Sequence, residues 1–285
     1  MSFLNDPSLL SIRNRKSRLR RIEETIRELR SRAGDGGVTS DLAKIARAQS
    51  IISVRTHPLV EEARVTQTDA GFLVELSTQH NNSSRRRFSL AHEIAHTIVW
   101  ESEQPGHERH RGLPGAHERR EERVCDLIAA ELLMPTPAFR EHAGATEPSL
   151  AALKVLCKTF RVSVSACLHR VMQLEVWNCA VLYGAWDARN EEYQVHRVYT
   201  TSAVSEPERT SSTLPHFSPP ARAARYGSRV DGHCWMELGG HIDEYPIQSM
   251  SYHTQNSGSL SLLSFGLTTL TSARYLPAIC PEMRL

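Results

Sequence analysis

The segment Phe88–Trp100, FSLAHEIAHTIVW, carries two histidines four residues apart with a glutamate beside the first. Residues four apart share one face of an α-helix, so His92 and His96 can bring one imidazole nitrogen each to a common point. Glu93 projects beside that point without entering it. A hydrolytic zinc ion asks for this arrangement: neutral nitrogen ligands, plus a carboxylate able to take a proton from water. His-Glu-x-x-His strings also arise by chance, and a histidine pair on a solvated helix face is the competing reading. Two features argue against it. The apolar positions Leu90, Ile94, Ile98 and Val99 follow the helical period from Arg87 to about Trp100, with Ser84 or Ser89 near the start, and the residues between the histidines, Ile94 and Ala95, are apolar.

Upstream, IISVRTHPL is rich in β-branched residues, and ARVTQTDAGFLVELST reads as two alternating runs around an Asp-Ala-Gly turn, an antiparallel hairpin. A strand hairpin followed by the histidine helix is the order of a zincin active site. Further upstream, residues 13–32 hold nine Arg or Lys against three Glu, with Leu19, Ile22, Ile26 and Leu29 at helical spacing, a basic amphipathic helix. Its basic face suits a nucleic acid or an acidic partner; simple solvation of that face is the competing reading. Three glycines in RAGDGGVTSDLAKI end this helix, and Thr39, Ser40 and Asp41 are candidate caps for a short second one.

A catalytic zinc takes three protein ligands and keeps one position open. The metzincin pattern would supply the third as histidine at 102 after glycine at 99, but the chain has Ser102 and Val99. The remaining common solution is a carboxylate from a following helix. ERREERVCDLIAAELL offers Glu118, Glu121, Glu122, Asp126 and Glu131. Glu122 and Asp126 stand one turn apart beside the small residues Ala129 and Ala130, which favours Glu122 as ligand and Asp126 as a support accepting the second ring N–H of a liganding histidine. The other glutamates read as a solvated charge run. His107, His110 and His117, in the glycine- and proline-rich stretch between the two helices, form a competing ligand set, or could donate to a developing oxyanion.

These residues resemble a known family. RRRFSLAHEIAH followed by EERVCDLIAAELLMP is similar to the IrrE/ImmA-type metallopeptidases, whose marks are an Arg-Phe-(Ser/Thr)-Leu-Ala-His-Glu-x-x-His helix and a Glu-x-x-(Ala/Cys)-(Asn/Asp) helix running into Leu-Met-Pro. The resemblance implies Zn2+ as cofactor, with His92, His96 and Glu122 as metal ligands and Glu93 as the catalytic base. It favours Glu122 over Glu121, three residues before the Ala/Cys position, here Cys125. Asp126 departs from the commoner Asn. The implied activity is cleavage of a helix-turn-helix transcriptional repressor in a bacterial stress or mobile-element response, with at most weak or indirect contact to DNA. The alternative is a DNA-binding or signalling regulator whose zinc site is structural or vestigial.

The fold expected is α+β: a basic helical segment over 1–48, a zincin-like peptidase domain over 49–140, a helix-turn-helix-like module over 141–174 turning at Phe160–Ser163, and a strand-rich, GAF-like sensor domain over 175–285. Composition agrees with a folded protein, since 40% apolar and 23% charged residues are globular proportions. Six scattered cysteines without a Cys-x-x-Cys pair signal neither a disulfide framework nor a thiolate zinc site, so a cytoplasmic location is expected. MSFLNDPSLL lacks the basic start and apolar run of a signal peptide, and no apolar stretch is long enough to span a membrane.

Overall fold

The computed structural model of the chain describes residues 15–34, 38, 41–79, 82–101, 116–202, 213–238, 241–253 and 257–264. The cap candidates Thr39 and Ser40 and the loop histidines His107 and His110 lie outside the described residues, as do the side chains of Leu19, His117 and Glu118. The chain is α+β and divides into two compact units, Met1–His142 with Val155–Leu174, and Ala143–Lys154 with Glu175–Leu285.

In the first unit, α1 (Arg15–Arg32) buries Ile22, Ile26 and Leu29 along one stripe and packs on α2 (Leu42–Ala48) and on α3 (Ser83–Glu101). Asp41 caps α2, its Oδ1 accepting from the N–H groups of Ala43 and Lys44, both at 3.2 Å. Strands β1 (Ile51–His57), β2 (Ala63–Thr68) and β3 (Gly71–Ser77) form a sheet of order β1-β3-β2, with β1 parallel and β2 antiparallel to β3. Central β3 buries Phe72, Val74 and Leu76 at the period of two that a half-covered strand requires, and α3 packs over β2 and β3. The hairpin turn needs glycine at 71. Its φ is +138°, and a Cβ there would strike the Ser50 carbonyl oxygen, which accepts the Phe72 N–H at 3.0 Å.

Helix α3 starts earlier than the apolar spacing implies. Asn82 Oδ1 accepts from Ser84 N–H at 2.9 Å and Arg85 N–H at 3.4 Å, so asparagine caps the helix nearly two turns ahead of Phe88, the first apolar residue. Ser89 lies mid-helix instead, its hydroxyl donating to the Arg85 carbonyl at 3.1 Å. Helix α4 (Ala116–Leu133) packs along α3, burying Cys125, Ile128, Ala129 and Leu132, and stops at Met134-Pro135. There follow α5 (Thr136–Gly144), α6 (Leu150–Phe160) and α7 (Val164–Leu174). Between α6 and α7, Arg161 takes a positive φ of 55° and Ser163 Oγ accepts the Ala166 N–H at 3.2 Å, a short capped turn. Glu131 is not part of a solvated run. It is 7% exposed and paired with the 1% exposed Arg170 of α7, whose guanidinium also donates to the Met134 carbonyl at 3.0 and 2.7 Å.

The second unit holds an antiparallel sheet of order β6-β5-β4-β9-β8-β7, from β4 (Cys179–Asp187), β5 (Glu192–Thr200), β6 (Thr213–Leu214), β7 (Val230–Leu238), β8 (His241–His253) and β9 (Ser257–Ser264). Helix α8 (Pro219–Tyr226) lies against it, and Leu182, Tyr193, Ala221, Ala224, Met236 and Ile247 form the core between them. At the β4 bulge, a Cβ on Gly184 would enter the Tyr193 ring, so the buried tyrosine depends on that glycine. No helix among the described residues is long and apolar enough to cross a membrane.

Candidate metal centre

Three elements build the site. Helix α3 presents His92 and His96 one turn apart, their ring centroids 4.9 Å from each other. Helix α4 brings Glu121, Glu122, Cys125 and Asp126 against them, and β2 closes the opposite side. The two imidazoles are turned alike. His92 Nε2 lies 3.0 Å from Glu122 Oε2, and His96 Nε2 lies 3.5 Å from Glu122 Oε1. Their Nδ1 atoms point the other way, His92 Nδ1 to Asp126 Oδ1 at 3.0 Å, and His96 Nδ1 to Cys125 Sγ at 3.4 Å and Glu121 Oε1 at 3.6 Å. One ligand atom from each of His92, His96 and Glu122 lies within 4.8 Å of the others.

Glu93 is 7% exposed beneath this group. Burial raises its pKa above the ordinary glutamate value, partly offset by His96 and His92, and the Val65 backbone N–H also stabilises the ionised form. At His92 burial works in the opposite sense, but the hydrogen bonds to Asp126 and Glu122 outweigh it and push the pKa up to about 10. The same bond to His92 lowers the Glu122 pKa. The acids that raise the His92 pKa supply the negative charge that a divalent cation would meet at this point. Burial and the surrounding carboxylates push the Cys125 thiol well up, so it remains S–H and is no thiolate ligand. Two imidazole nitrogens and one carboxylate, with a further buried carboxylate alongside, is a donor set that fits a zinc ion with an open coordination position.

A cavity of about 420 Å³ opens onto these groups. Phe88 and Trp100 line it with the two histidines, and Phe88, His92, His96 and Trp100 form a row of rings along α3 with centroid spacings of 6.2, 4.9 and 5.7 Å. Sequence reasoning passed over Trp100 and read Glu121 as part of a solvated charge run. Trp100 Nε1 donates to Glu121 Oε1 at 3.1 Å, and the Glu121 side chain is only 25% exposed. The signal was the repeat of four, which carries the ring pattern one step beyond the second histidine.

Residues 52–172 match the peptidase family described as the IrrE N-terminal-like domain. This part of the chain is similar to the IrrE/ImmA-type family. The IrrE-like segment accounts for both histidines, the glutamates of α4 and helices α5 to α7. The chain is 34% identical over 90 residues to the radiation response metalloprotease IrrE of Deinococcus radiodurans, a match spanning 31% of this chain and 27% of that protein. A Mycobacterium tuberculosis transcriptional regulator has a similar fold, with a TM-score of 0.52 over 85% of this chain and 76% of the other at 11% identity.

Proposed function

We propose that the chain is a zinc-dependent endopeptidase that cuts a helix-turn-helix transcriptional repressor and so relieves repression. The observation that carries this reading is the convergence of His92, His96 and Glu122 beside the buried Glu93. His92, His96 and Glu122 would hold the zinc ion through the two Nε2 atoms and the Glu122 carboxylate. When bound, the ion polarises a peptide carbonyl and acidifies water. Glu93 takes the proton from the attacking water and returns it to the leaving amine. Its burial suits the first half of that task, because a carboxylate with a raised pKa is the stronger base and takes up a proton more readily. Asp126 accepts the Nδ1–H of His92, which leaves Nε2 free to ligate. Helices α6 and α7, with their capped turn, form a helix-turn-helix-like module for partner recognition. The sheet-and-helix unit after residue 175 acts as a GAF-like sensor.

Glu93→Gln decides the matter. Elemental analysis should find zinc retained at the wild-type ratio, while cleavage of a co-encoded helix-turn-helix repressor drops by about 10²–10⁴-fold, the usual share of a general base. Full cleavage by a zinc-loaded Glu93→Gln chain, or repressor-independent DNA binding at physiological salt with no cleavage by the wild type, would overturn the proposal.

A further inference from the structure

The two histidines do not have equivalent supports. His92 Nδ1 faces a single acceptor, Asp126, at 3.0 Å. His96 Nδ1 faces two groups of opposite character, the Cys125 sulfur at 3.4 Å and the Glu121 carboxylate at 3.6 Å. The difference matters because a neutral imidazole carries its proton on one nitrogen only. A thiol S–H donating to Nδ1 would put the ring proton on Nε2, the nitrogen turned toward Glu122, and that tautomer cannot ligate. A carboxylate only accepts, so it requires the proton on Nδ1 and leaves Nε2 open. Glu121 is itself held, since its Oε1 also receives the indole N–H of Trp100 at 3.1 Å, one turn beyond His96 on the same helix. The His96 and Trp100 rings lie 5.7 Å apart and the Phe72 ring backs the indole at 6.1 Å, which fixes the donor.

We infer that Glu121, anchored by Trp100, is the positioning residue of His96: it selects the Nδ1–H tautomer against Cys125 and so sets the metal affinity of the site. The inference rests on the reading of His96 as a ligand and gives the His96 side a carboxylate counterpart, at a longer 3.6 Å, to Asp126 on the His92 side. Glu121 touches neither substrate nor the reacting atoms.

The test uses the full chain and zinc alone. Zinc dissociation constants are measured by competition with a chromogenic chelator for the wild type, Glu121→Gln, Trp100→Phe, Cys125→Ala and His96→Ala. Ring-nitrogen NMR of His96 in the zinc-free chain reads the tautomer directly. Glu121→Gln should weaken zinc binding about 10–100-fold, the usual cost of losing such a support, and should move His96 from Nδ1–H toward Nε2–H. Trp100→Phe leaves the carboxylate in place but removes the indole N–H it accepts, and should cost about two- to tenfold in the same direction. Cys125→Ala should bind zinc as tightly as the wild type or more tightly. If thermal melting shows Glu121→Gln to be unfolded, Trp100→Phe with the tautomer measurement carries the test. Unchanged affinity and tautomer in the folded variants, or a loss reproduced by Cys125→Ala, overturns the inference. Zinc retained by His96→Ala instead overturns the metal assignment on which it rests.

Discussion

Helix α4 carries acids in two settings about two and a half turns apart, and the protein treats them in opposite ways. At its C-terminal end Glu131 is sealed from solvent against the Arg170 guanidinium, with Thr136 donating through its N–H at 3.0 Å and its hydroxyl at 2.7 Å. Toward the other end Glu122 and Asp126 have side chains 48% and 56% exposed and face an imidazole. A guanidinium keeps its charge at any pH a protein meets, so the first setting is permanently neutralised and joins α4 to α7. An imidazole can give its proton up. The positive charge in the second setting is therefore exchangeable, which is the property a metal site needs and a structural ion pair lacks.

The contrast is sharpest when each setting is broken. Arg170→Met strands the Glu131 charge in the interior and should destabilise the chain by about 3–5 kcal/mol, read from the denaturant midpoint. Adding Glu131→Leu should restore most of that, because the penalty belongs to the unpaired charge. A single Arg170→Met variant as stable as the wild type would show the two settings to be alike. Asp126→Ala should weaken zinc about 10–100-fold by chelator competition, and the stability of the zinc-loaded chain should fall by that same loss of affinity, about 1.4–2.7 kcal/mol.

A further effect is one of pH, in the zinc-free chain. His92 has a folded-state pKa of about 10, raised from an ordinary 6.5, so protonated His92 favours the folded state. That contribution is fully present below pH 6.5 and fades as pH rises toward 10. Thermal midpoints of the zinc-free protein should fall across this window, and Asp126→Ala should flatten the slope. An equal slope in the variant would remove Asp126 as the source of the shift.

Much of the first unit is legible along the chain because its determinants are local. The repeat of four that places His92 and His96 together, the Asp-Ala-Gly turn and the Met-Pro stop after α4 each act within a few residues. The first turn of α3 was hidden because it is polar, with Arg85, Arg86 and Arg87 masking a helix that Asn82 had already capped. Glu131 looked solvated because its partner lies 39 residues away on α7. The sheet of the second unit is harder still. β9 inserts between β4 and β8, pairing Leu182 with Ser261 and Ile247 with Leu263, and no local pattern announces a neighbour 79 residues distant. Helix α8 is eight residues long and opens on Pro219-Pro220 after the Ser218 cap, so its start reads as a turn.

The row of rings along α3 has an optical consequence. Trp100 stands 5.7 Å from His96, whereas the other three of the four tryptophans, Trp177, Trp186 and Trp235, belong to the second unit. Indole emission responds to the charge of a neighbouring imidazole and to heavy ions nearby. The chain thus contains its own fluorophore at the ligand helix, and filling of the centre can be followed as a change in intrinsic emission without any attached dye.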